Sequence, residues 1–267
     1  MANEATNAPK EPLGVGSIIS DGFSIMFGNF VKVLLLGFLG AFLGFVVNIV
    51  FLGFDAATGA GGDDLALTDP TAFMIGIAVS TIIGMVIYGL VTAMLIQLAY
   101  DSKLGRSNSL GTYFRSALPA ILPIAVLTLV ISILSAVGAI ALIIGALWVY
   151  AVFYVTAPVA VIERGGFGSM GRSAVLTKEY RWPIVGMFIV VIIISMILQF
   201  IGGFFVGGLG FLATGLVGQL IIGVGLALIT GLAYAYGGIV VALVYARLRE
   251  VKNVRDLIDP DAVFDFP

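Results

Sequence analysis

Between Arg115 and Glu163 no side chain is charged, and the same holds from Trp182 to Ala246. Each run exceeds the ~20 apolar residues that cross the hydrocarbon core of a bilayer as one helix. A water-soluble surface needs roughly a quarter of its residues charged. This chain has 10% charged and 60% hydrophobic residues, so it reads as an all-helical integral membrane protein.

Six spans are predicted, at about 31–54, 73–100, 119–136, 139–161, 183–203 and 219–246. The tight "SAVG" at 135–138 suits a turn between the third and fourth. The apolar, glycine-rich "FFVGGLGFLATGLVG" at 204–218 suits a re-entrant or interfacial loop, because uncovered irregular backbone in lipid would leave polar groups unsatisfied.

Charge sets the predicted orientation. With six spans, Lys10, Lys32, Lys103, Arg106, Arg115, Arg164, Arg172, Lys178, Arg181, Arg247, Arg249, Lys252 and Arg255 all fall on one side. The other side has the 55–72 loop, with Asp55, Asp63, Asp64 and Asp69 and no base. By the positive-inside rule both termini are cytoplasmic. The predicted organisation is a disordered cytoplasmic tail over 1–14, one membrane domain over 15–249, and a cytoplasmic tail over 250–267.

Three segments that precede span pairs look alike: 15–30, 109–123 and 166–182. In the first, Val15, Ile18, Ile19, Phe23, Met26 and Phe30 share a helical face opposite Ser17, Ser20, Asp21 and Ser24. In the second, Leu110, Tyr113, Phe114 and Ala117 oppose Thr112, Arg115 and Ser116. In the third, Phe167, Met170 and Ala174 oppose Ser169, Arg172 and Ser173, with Leu176 on the polar side. The expected architecture is therefore three hairpins, each preceded by an amphipathic helix in the cytoplasmic interface. Tyr180 and Trp182 fall where an aromatic belt is expected, and Pro183 opens the next span.

The chain has no Cys and no His, which removes thiolate chemistry and the commonest general base and metal ligand. No cofactor, metal or catalytic residue is predicted. The net charge of −2, with no basic polar domain, gives no case for nucleic acid. Span polar residues such as Asn48, Gln97, Gln199, Thr92, Thr128, Ser132, Ser135 and Ser195 are uncharged. They are expected to bond between helices or to their own backbone, with a solute pathway as the alternative. Gly40, Gly44, Gly203 and Gly207 have the small-residue spacing that brings helices close. Glu163, Arg172, Ser173, Thr177, Arg181 and Arg249 are the candidate polar patch at the cytoplasmic membrane face. It reads as an ion-paired, topology-setting collar or as a site for lipid headgroups.

The run "TAPVAVIERGGFGSMGRSAVLTKEYRWPIVGMFIV" (156–190), through Pro158, Glu163, Arg172–Ser173, Leu176–Thr177 and Arg181–Trp182, has a family likeness. With "YARLRE" at 245–250 and the helix before the first span, it resembles the membrane domain of some bacterial glycerophosphodiester phosphodiesterases. It is similar also to stand-alone bacterial inner-membrane proteins of that kind. The resemblance implies a multi-helix membrane module that is often fused to, or accompanies, other proteins. A catalytic barrel of ~250 residues does not fit beside the spans, so phosphodiester hydrolysis is not implied. The expected function is non-catalytic: an accessory or scaffold subunit of the bacterial inner membrane, packing against a larger complex, itself or lipids. The alternative is a transporter or permease component for a neutral or amphipathic solute.

Overall fold

A computed structural model describes residues 12–58, 68–140, 143–213 and 215–258. Lys10, Asp63 and Asp64, and most of the predicted N-terminal tail, lie outside them. The described residues form helices α1 (Val15–Gly28), α2 (Phe30–Leu52), α3 (Phe54–Thr58), α4 (Pro70–Lys103) and α5 (Leu110–Ile140). They continue as α6 (Ile143–Val152), α7 (Thr156–Ile162), α8 (Ser169–Thr177), α9 (Arg181–Leu212) and α10 (Gly215–Ile258). Six segments are long and apolar enough to cross a membrane: α2, α4, α5, α6 with α7, α9 and α10. The protein is therefore a multi-pass, all-helical membrane protein.

The spans form a closed ring in chain order. Each packs on the next, α10 packs back on α2, and α4 also touches α10 across the ring. The pairs expected as hairpins are neighbours, but so are the second and third spans and the fourth and fifth, so the ring has no separate three-hairpin units.

Three predicted interruptions are helical. The "SAVG" stretch lies inside α5; Gly138 meets Gly145 backbone to backbone, so the two helices cross closely just before the chain reverses. Helix α9 runs on to Leu212 and α10 starts at Gly215, so 204–218 is mostly helix. Its glycines serve the reversal: Gly215 has φ +69, and a Cβ on Gly218 would strike the Ala213 carbonyl. The 109–123 segment is not a separate helix either, since α5 continues through Pro119 and Pro123. Prolines within a membrane helix are tolerated where neighbours satisfy the freed carbonyls.

Conversely, the predicted fourth span is broken between Val152 and Thr156. Pro158 causes this: its ring excludes the Tyr154 carbonyl one turn back, and it has no N–H to donate. Proline is allowed where it stands, in the first turn of α7.

Helix α1 lies on α10. Ile18 and Gly22 are buried, Phe23 stacks on Tyr236 at 4.6 Å, and the Tyr236 hydroxyl donates to the Ile19 carbonyl at 3.3 Å. Ser17, Ser20, Asp21 and Ser24 face outward. Leu13, inside the predicted tail, is buried in the core, and α10 extends through the predicted start of the C-terminal tail to Ile258.

The core is concentrated at one end of the bundle. Leu95, Ile96 and Leu98 of α4, Ile184 and Met187 of α9, and Ile239, Leu243, Tyr245 and Leu248 of α10 are almost fully buried. The far halves of the same helices carry exposed apolar side chains, including Met74, Ile75, Phe200, Phe204, Phe205, Leu216 and Val217. Charged residues gather at the dense end, where Lys103 pairs with Glu250 at 3.1 Å. There Lys32 also bonds Ser107 at 2.8 Å and Lys252 the Val175 carbonyl at 3.0 Å.

Candidate functional site

The break at Val152–Thr156 organises the basic end. In an unbroken helix the Thr156 N–H would donate to the Val152 carbonyl; it bonds Phe153 instead, at 3.1 Å. That frees the Val152 oxygen inside a membrane span, where an unsatisfied carbonyl is costly. Helix α8 supplies the replacement. Ser173 Oγ and Thr177 Oγ1 each lie 3.0 Å from the Val152 oxygen. Thr177 is equally close to the Ser173 carbonyl, 2.9 Å away in its own helix, so Ser173 is the more dedicated donor.

Part of the predicted polar face of α8 turns inward, while Arg172 stays exposed. Ser169, Ser173, Leu176 and Thr177 are its buried residues, whereas Phe167 and Val175 are exposed. The polar stripe points inward because a broken helix there needs hydroxyl donors. Leu176, placed by the helical wheel among the polar residues, is buried because it shares that inward face.

The six candidate patch residues fall into three groups. Ser173 and Thr177 serve Val152. Glu163, at the end of α7, accepts from Arg172 Nε at 3.2 Å with one carboxylate oxygen and from the Tyr245 hydroxyl at 2.9 Å with the other. Arg249 donates to the Tyr100 hydroxyl at 3.4 Å, and the Tyr100 and Tyr245 rings lie 6.2 Å apart. A chain of contacts thus ties α8, α7, α10 and α4. Arg181 stands apart: its guanidinium lies over the Trp148 ring at 5.2 Å, and its buried Nε has no hydrogen-bond partner among the described residues.

Sequence reasoning misses Tyr245 and Tyr100. Tyr245 opens the "YARLRE" motif, so a signal is present, but a tyrosine inside an apolar run looks like any core aromatic.

The second feature is a cavity of about 580 Å³ enclosed by α4, α5, α6, α7, α9 and α10. Its lining is aromatic and hydroxylated, with Tyr88, Tyr150, Tyr154, Tyr234, Thr92, Thr128, Ser132, Ser135, Thr156, Ser195 and Gln199. No charged residue lines it. Thr156, Tyr154 and Val191 are buried, while Ser132, Met196 and Gln199 are exposed. Helix α6 packs between α5 and α9, and the exposed lining residues Ser132 of α5 and Met196 and Gln199 of α9 show that the cavity is open on the side of these helices. Some polar side chains are satisfied locally, as in the bond from Ser132 to the Thr128 carbonyl at 2.8 Å. The buried hydroxyls of Ser135 and Thr156 have no hydrogen-bond partner among the described residues.

The four candidate packing glycines differ in setting. A Cβ on Gly40 would press on Val91 of α4, whereas Gly44 has open space and borders a second cavity, between α2, α4 and α10. Gly203 has only the tip of Leu226 at 4.0 Å, and Gly207 has nothing within 4 Å. A close backbone-to-backbone approach lies elsewhere, where Gly37 of α2 meets Gly231 of α10. Gly37 precedes Gly40 by three positions; its small-residue partner lies in another span, so local spacing does not reveal it.

No cluster of metal-ligating side chains occurs among the described residues. No family model, curated protein or solved structure matches the chain.

Proposed function

We propose that the protein is a non-catalytic accessory or scaffold subunit, packing against a larger membrane complex or a second copy of itself. The observation that carries this reading is the braced basic end. Through Glu163, Arg172 and Tyr245, and through Arg249 and Tyr100, four helices are tied into one face. A pre-organised face loses little freedom when a partner docks, and that raises affinity. The same face holds the excess of bases that orients membrane proteins. We therefore place it in the cytoplasm, with both termini, in a bacterial inner membrane, and with α1 and α8 at the lipid headgroups. The resemblance to a membrane module that accompanies other proteins points the same way.

Native mass spectrometry of the protein extracted gently from its own membranes tests the reading. A stoichiometric partner or a defined oligomer is expected; a monomer with only exchangeable lipid contradicts it.

The cavity favours a second reading, a carrier for a neutral or amphipathic solute. Its uncharged polar lining suits such a solute and gives no ionisable group for coupling to protons or ions. Substrate-dependent flux in proteoliposomes, lost on changing Gln199, is its expected signature.

A further inference from the structure

We infer that the cavity between α5 and α9 binds one uncharged lipid, of the diacylglycerol or long-chain alcohol type, admitted sideways from the bilayer. The inference rests on the same cavity as the carrier reading but concerns binding at equilibrium, not movement across the membrane.

Thr156 gives the first reason. A threonine hydroxyl in a membrane helix ordinarily bonds the carbonyl one turn back, here that of Val152. That oxygen already faces the hydroxyls of Ser173 and Thr177. Thr156 is 3% exposed, lines the cavity, and keeps a hydroxyl without a partner among the described residues. Ser135, also on the lining, is in the same condition. Buried polar groups are as a rule hydrogen-bonded, so two orphaned hydroxyls on one cavity point to a ligand that supplies the missing bonds. The break that Pro158 imposes on the fourth span thus accounts for both the clamp at Val152 and the free hydroxyl at Thr156.

Charge and size narrow the ligand. The lining has hydroxyl, phenol and amide groups but no acid or base, so a phosphate or ammonium headgroup would lie in a low-dielectric cavity without a counter-charge, which is strongly unfavourable. A hydroxyl or ester carbonyl matches the unpaired Thr156 and Ser135, while Phe188, Val191 and Ile131 suit a hydrocarbon chain. The volume of about 580 Å³ lies within the range of small-molecule sites. Ser132, Met196 and Gln199 line the cavity and are exposed on membrane-spanning helices, so an amphiphile in the bilayer can reach the site without passing through water.

The test uses the full chain in phosphatidylcholine vesicles, with photoactivatable diacylglycerol, a photoactivatable long-chain alcohol and photoactivatable phosphatidic acid as probes. Saturable labelling of α5, α7 or α9 by either neutral probe is expected; the two arms tell which neutral lipid is preferred. Labelling by phosphatidic acid alone, or by no probe, overturns the inference. Thr156→Val keeps the shape and removes the hydroxyl, and should weaken the apparent affinity roughly three- to tenfold. Gly237 lines the cavity, and a Cβ there would meet nothing within 4 Å, so Gly237→Leu should fill the space and lower labelling more than tenfold. Unchanged labelling in both variants overturns the site. Should Gly237→Leu not fold, Thr156→Val decides, because its thermal midpoint without probe should stay level or rise. Binding without flux would remove the carrier reading and leave this inference standing; flux without binding would do the reverse.

Discussion

The braced basic end and the cavity beside it use the same kinds of polar residue in opposite ways. At the basic end, serine, threonine, tyrosine and glutamate side chains find protein partners, and the helices around them are closely packed. Beside it, serine and threonine hydroxyls border a cavity, and those of Ser135 and Thr156 have no partner among the described residues. Uncharged polar side chains in a membrane helix therefore have no fixed meaning. Their role depends on whether a backbone group nearby needs a donor.

The largest expected effect tests the clamp. Replacing Ser173 by Ala and Thr177 by Val together leaves the Val152 carbonyl orphaned, at a cost of about 2–3 kcal/mol in unfolding free energy. Either change alone should cost only about 0.6 kcal/mol, typical of one hydrogen bond within a membrane, with Ser173→Ala the costlier. Denaturant titration in mixed micelles reads all three; equal additivity would break the idea of a shared acceptor.

Next comes the contrast between closed and open glycines. Gly37→Ala drives a methyl group into the Gly231 backbone and should cost about 1–3 kcal/mol by overpacking. Gly207→Ala meets nothing and should be neutral or slightly stabilising through helix propensity. The same unfolding titration should separate the two.

The smallest effect concerns Glu163. Its pair with Arg172 is partly exposed, with side-chain exposures of 24% and 41%, and a pair of that kind is worth about 0.2–1 kcal/mol. A double-mutant cycle of Glu163→Gln and Arg172→Met should show coupling of that size, and strict additivity would remove the brace. The amide that Glu163→Gln introduces can still accept from Tyr245, so Glu163→Ala should be the costlier of the two changes.

The membrane class, the span count and the gathering of bases are legible in the sequence because each rests on composition over long windows. Turns are harder to read. The glycines at 135–138 and 204–218 look like loop residues, yet Gly138 and Gly218 sit in helices where backbones approach each other. In the sequence Pro158 stands out only for its family likeness, whereas its physical effect one turn upstream shapes both sites. The polar stripe of α8 points to water on a helical wheel because its acceptor, Val152, lies in another helix, which a wheel cannot include. The cavity escapes for the same reason: its hydroxyls come from several helices, and only the ring brings them together.

The most direct test sets Thr156→Val beside the Ser173→Ala/Thr177→Val pair in one unfolding titration. The pair should lose about 2–3 kcal/mol, while Thr156→Val, which removes an unsatisfied hydroxyl, should lose nothing or gain. A loss from Thr156→Val as large as that from the pair would overturn the distinction, because Thr156 would then be holding the fold together just as the clamp does.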